Sequence, residues 1–106
     1  MKRKEFGVVL EQQLARITSI LGAKTEEYAT DADQLSNIRE SASLQHTTMR
    51  NAVAGMLSKH TVSIFAMCRD PKTHTLAQWD EKITDHIIWL ILLRACIVEE
   101  SKEQNA

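Results

Sequence analysis

Two carboxylate pairs, Glu27-x-x-x-Asp31 and Glu81-x-x-x-Asp85, are the residues of this chain best spaced for chemistry. Residues four apart share a helix face, so each pair offers two hard oxygen donors on one side. If the pairs meet across a helical bundle, four carboxylates suit magnesium, with manganese as the alternative. Clustered carboxylates repel one another as they lose water, and a proton, a basic partner or a divalent cation relieves that cost. Lys24 and Lys59 are the candidate basic partners. Zinc fits less well, because Cys68, Cys96, His46, His60, His74 and His86 follow no zinc-ligand spacing.

Each of these residues also has a plainer role. Asp31 can cap a second helix, and paired carboxylates on helices commonly serve solubility or salt bridging. Lys59 can hold a phosphate as a point charge or lie solvated, whereas His60 falls on an apolar stripe and reads as a core histidine. His86, Trp79 and Trp89 read as packing residues, as do Met49, Met56 and Met67. No nucleophilic triad and no phosphate-cradling glycine loop is present in the sequence.

The elements that would position these residues are helices. Phe6, Leu10, Leu14, Ile17, Leu21 and Tyr28 recur at steps of mostly three and four, which predicts a first helix over about 5–29. Thr30-Asp-Ala-Asp33 then supplies turn and capping residues before a short helix faced by Leu35, Ile38 and Ala42. A third helix follows the capping Thr48 and ends at Asp70-Pro71, where proline lacks an N–H and clashes with a helical turn. Its stripe is Met49, Val53, Met56, His60, Ile64 and Met67, beside a small-residue face of Ala52, Gly55, Lys59, Val62 and Ala66 that would admit another helix closely.

Thr75-Leu-Ala-Gln78 has the form of a capping box and starts the fourth helix. Its seam is Leu76, Trp79, Ile83, His86, Leu90, Leu93 and Ile97, broadened by the apolar run 87–93. A helix apolar on nearly every side must be covered on nearly every side, which predicts self-association. Beyond about residue 99 the pattern stops, and a frayed tail is expected.

The chain has 106 residues, 43% of them apolar, with a net charge of -1, which predicts one domain with its core over about 5–100. That charge argues against a nucleic-acid partner. The 87–93 run is far short of the roughly 20 residues that span a bilayer, so no membrane partner is expected. Cys68 and Cys96 form no C-x-x-C, and two buried reduced thiols in a cytoplasmic protein are the simplest reading.

Lys24-x-x-Glu27-Tyr28-Ala29, Asp33-x-x-x-Asn37, Lys59-His60 and Trp79-x-Glu81-Lys-Ile-x-Asp85 resemble small phage and prophage proteins of MazG-like type, over about residues 20–100. The resemblance implies an all-α, four-helix bundle of the nucleoside triphosphate pyrophosphohydrolase group, completed as a dimer or tetramer. It implies magnesium held by Glu27, Glu81 and Asp85, with Asp31 as a fourth donor. It further implies phosphate contacts from Lys24 and Lys59, a sugar or base contact from Asn37, and catalytic roles for Glu81, Asp85 and Lys59. The group's usual pairs are ExxE and ExxD. The ExxxD spacing here keeps the face and changes the ligand geometry, so a catalytically inactive oligomerisation or adaptor module of phage origin is the alternative.

Overall fold

A computed structural model of the chain describes residues 1–28, 33–70, 72 and 74–104, and the side chains at those positions except 23–28. It contains four helices, α1 (Arg3–Tyr28), α2 (Ser36–Leu44), α3 (Met49–Arg69) and α4 (Leu76–Gln104), with no strand among the described residues. The all-helical class expected from the periodicity is therefore observed. No described helix is long and apolar enough to cross a membrane.

Local chemistry sets the helix ends. Thr48 accepts a hydrogen bond from the Asn51 amide at 3.2 Å and caps α3. At α4 the capping box is reciprocal: the Gln78 amide donates to Thr75 Oγ1 at 3.1 Å, and the Thr75 amide donates to Gln78 Oε1 at 2.9 Å. The start of α2 differs from the expected side-chain cap. Leu35 occupies the cap position without a capping side chain, while Asp33 accepts from the Leu35 amide at 3.0 Å and turns the chain just before the helix.

Past Glu99, where the apolar pattern stops, α4 continues as helix to Gln104. Glu, Lys and Gln are good helix formers. Glu99 and Glu100 are also anchored, to Arg39 of α2 at 3.3 Å and to Arg50 of α3 at 3.5 Å.

Helix α4 is the central element. It packs most extensively on α3, which in turn carries α2, and α1 lies along another side of α4. The Arg50–Glu100 pair and the His60–Trp89 ring contact make α3 and α4 antiparallel. Gln13 bonded to Thr84 and Arg16 paired with Asp80 make α1 and α4 antiparallel as well. The core is small: Leu35, Ala42, Met49, Ala52, Val53 and Cys96 form one buried cluster, with Trp89, Leu92 and Leu93 against it. Val53, Thr84, Ile88 and Cys96 are each less than 2% exposed.

The molecule is extended for its length. Its radius of gyration is 16.2 Å, against about 13 Å for a compact chain of this size. Its accessible surface of 7989 Å² exceeds the roughly 6,000 Å² typical of a folded 12.0 kDa monomer by about 2,000 Å².

Several packing expectations change in consequence. Met56 is exposed despite its place on the apolar stripe, and Cys68 is exposed where burial was expected, while Cys96 is buried. Of the small-residue face only Ala52 is buried; Val62 is exposed, and a Cβ added at Gly55 would meet nothing within 4 Å. That side of α3 is thus covered at Ala52 and open to solvent at Gly55, Lys59, Val62 and Ala66.

Candidate functional site

The candidate site is built where α3 and α4 cross. Thr48 and the capping box at Thr75 fix where the two helices begin, and the antiparallel packing then sets residues near 60 beside residues near 85–89. His60 lies with its imidazole 6.3 Å from the Trp89 ring at an interplanar angle of 29°, an offset stacked arrangement. Burial lowers the His60 pKa from its ordinary value; the Asp85 carboxylate opposes that, and His86, Lys82 and Lys59 reinforce it. His60 is therefore a neutral imidazole near pH 7, set among one carboxylate, two ammonium groups and a second histidine.

Lys59-His60 and Asp85, distant in sequence, are thus brought into one electrostatic neighbourhood. Asp85 is partly buried, whereas Glu81, one turn earlier on the same face, is exposed. The face continues into Ile88, which is 1% exposed, so this ionic patch borders the driest part of the molecule. Lys59 is exposed, in keeping with a side chain that can reach a phosphate or remain solvated.

Asn37 stands apart from the charged patch. It is on α2, at the rim of an open cleft of about 150 Å³ whose wall includes Met56 and Trp89. Through Trp89 this cleft adjoins the His60 and Asp85 neighbourhood.

The other predicted ligands fall outside this description. Lys24 and Glu27 lie within the span of α1 with undescribed side chains, and Asp31 lies outside the described residues altogether. Among the described residues no group of three or more His, Cys, Asp or Glu side chains is arranged to hold a metal ion. Glu81 and Asp85 supply two hard donors, fewer than a magnesium ion takes from protein and substrate together.

Sequence reasoning missed a second ionic cluster. Arg39 donates to Asp33 at 2.9 Å and to Glu99 at 3.3 Å, tying the approach to α2 to the end of α4. The Arg39 guanidinium and the Leu35 amide hold the Asp33 carboxyl below its usual value, and Asp33 in turn raises the Arg39 pKa. No periodic signal marks this cluster, because its members lie on three separate segments. Arg39 also lines a larger open depression with Arg50, Glu100 and Glu103, where the cations are matched by carboxylates of the same chain.

A further surface stands out on α4. Leu76, Ile83, Leu90 and Ile97 recur every seven residues and are 75, 38, 47 and 43% exposed. At about 100° per residue, this stripe lies roughly a third of a turn from both the α1-facing side, marked by Thr84, and the α3-facing side, marked by Cys96. Apolar side chains on α1 are uncovered too: Phe6, Val9 and Leu10 lie within roughly 60° of Gln13 on that helix, yet all three are exposed.

Compared with known proteins, the chain matches no family, no curated protein and no solved structure.

Proposed function

We propose that the chain is a metal-dependent nucleoside triphosphate pyrophosphohydrolase of MazG-like type, working as a cytoplasmic homo-oligomer in phage or prophage nucleotide metabolism. The observation that supports it is that the Asp85 carboxylate of α4 and the neighbouring Lys59 ammonium both act on the His60 imidazole of α3, in residues whose pattern resembles that group. Glu81 and Asp85 would share magnesium, or manganese, with Glu27 and Asp31. Bound there, the cation would supply neutralisation of the triphosphate and polarisation of the scissile phosphorus.

The protein groups would do the rest. A carboxylate of the Glu81 and Asp85 pair would orient the attacking water and accept its proton, while Lys24 and Lys59 hold phosphate oxygens. Water adds at the α-phosphorus as the bond to the bridging oxygen breaks, giving the monophosphate and pyrophosphate. A neutral His60 can accept a hydrogen bond from a water or donate one to a phosphate oxygen. The test is a screen of canonical and modified nucleoside triphosphates with magnesium or manganese, reading pyrophosphate release. Turnover is expected, and Glu81→Ala should abolish it while leaving helical content intact. No turnover together with no metal binding rejects the hydrolase.

A second reading, a non-enzymatic self-assembly module, is supported by the uncovered third face of α4. An excess surface of about 2,000 Å² per chain is the scale of an obligate dimer interface, which buries roughly 1,000–2,500 Å² on each partner. Sedimentation should give a dimer or larger species for the wild type, and a folded monomer for Leu90→Asp. Folded monomers for both reject assembly through this face. Association alone fits either reading, so the triphosphate screen separates them.

A further inference from the structure

The cleft between α2, α3 and α4 has the dimensions and lining of a binding site for one planar ring. Ile38, Ala52, Met56 and Trp89 form its apolar wall, and Asn37 and Ser41, one turn apart on α2, bring polar groups to it. Among the described residues no charged side chain lines it, so its wall suits neither a phosphate nor a cation. At about 150 Å³ it has the volume of a cavity that accepts a single six-membered aromatic ring. The second ring of a purine would be left outside against solvent.

Its polar groups can read a base edge. A carboxamide presents an acceptor and a donor side by side, and a flip of the group exchanges them. One orientation meets the ring nitrogen and amine of cytosine, and the other meets the ring N–H and carbonyl of uracil or thymine. The Ser41 hydroxyl accepts from Gln45 Nε2 at 2.9 Å, so its own hydrogen is available to donate to a ring carbonyl.

The position of the cleft couples it to the charged patch. Trp89 belongs to its wall, stacks on His60, and lies one turn beyond Asp85 on α4. A base held against Trp89 would leave its phosphates on the side of Lys59, His60 and Asp85.

We propose that this cleft binds the base of a pyrimidine nucleotide, with Asn37 reading the base edge and Trp89 and Met56 packing on the ring. The proposal rests on the nucleotide reading above and names the substrate class for that site. Calorimetric titration of the full chain, with magnesium present, would compare cytidine and uridine monophosphates with adenosine and guanosine monophosphates and with ribose 5-phosphate, which lacks a base. The pyrimidine nucleotides should bind at least tenfold more tightly than the other three, and Asn37→Ala should remove the difference. Equal binding of purine and pyrimidine nucleotides, or affinity no better than that of ribose 5-phosphate, overturns the cleft assignment. Pyrimidine-selective binding with neither triphosphate turnover nor metal binding upholds the cleft and rejects the hydrolase. Turnover indifferent to the base upholds the hydrolase and rejects the cleft.

Discussion

The two long contacts made by α4 are built differently. Against α3 it buries apolar side chains, with Val53 and Cys96 all but removed from solvent in one cluster. Against α1 it shows polar links, a hydrogen bond from Gln13 to the fully buried Thr84 and an ion pair from Arg16 to Asp80. On the N-terminal side of those links, Phe6, Val9 and Leu10 remain exposed. One seam is a hydrophobic core, and the other joins a few specific bonds to the partly buried Ile17, Ile20 and Leu21 and leaves apolar area uncovered at its N-terminal end. The lesson is that two sides of one helix are packed by different means, apolar burial against α3 and specific polar bonds against α1.

That contrast can be broken at its strongest point first. Ile88→Ala removes a side chain 1% exposed, and a loss of about 2–5 kcal/mol in urea unfolding is expected because the surrounding helices collapse only partly into the space. A loss under about 1 kcal/mol would mean that the core is less tightly packed than its burial implies.

Thr84→Val tests the polar seam. The shape is nearly kept, but Gln13 loses its acceptor, and a partly buried amide left without a partner costs about 1–3 kcal/mol. The effect should concentrate on α1, seen as faster amide exchange there with little change in α3. Uniform loss across all four helices would show that the two seams unfold as one.

The smallest effect comes from pH. Burial lowers the folded-state pKa of His60, so the unfolded chain binds the proton more readily. The stabilisation from a neutral His60 is complete above the ordinary histidine pKa and is lost as the pH falls through that value towards the lower folded one. Comparing wild type with His60→Gln by urea unfolding between pH 7.5 and 5 should show a steeper acid decline in the wild type. Parallel curves would place His60 in an environment no drier than that of the unfolded chain.

Much of the fold was legible in the sequence. The proline stop, the capping threonines and the three-and-four spacing mark α3 and α4 closely, because these signals act within a turn or two of the residues that carry them. Exposure was less legible. Met56, Val62 and Cys68 all lie on faces that spacing marks as apolar or small, yet they face solvent. Periodicity says which side chains share a face, and it does not say whether the surface covering that face belongs to the same chain.

The candidate site was legible in proportion to how much of it lies on one helix. Glu81 and Asp85 follow from spacing alone. The influence of Asp85 on His60 depends on the register of two helices, which no local pattern encodes. The Arg39 cluster was invisible for the same reason, since Asp33, Arg39 and Glu99 meet only once three segments are in place.

The two cysteines give this molecule an internal clock. Cys68 is open to solvent, while Cys96 is sealed in the core and burial raises its pKa, so its thiol is protonated as well as shielded. A thiol reagent should consume the first sulfur at the rate of a free thiol and the second only as often as α4 parts from α3. The ratio of the two labelling rates, read on a single unmodified sample, would report the opening of the bundle.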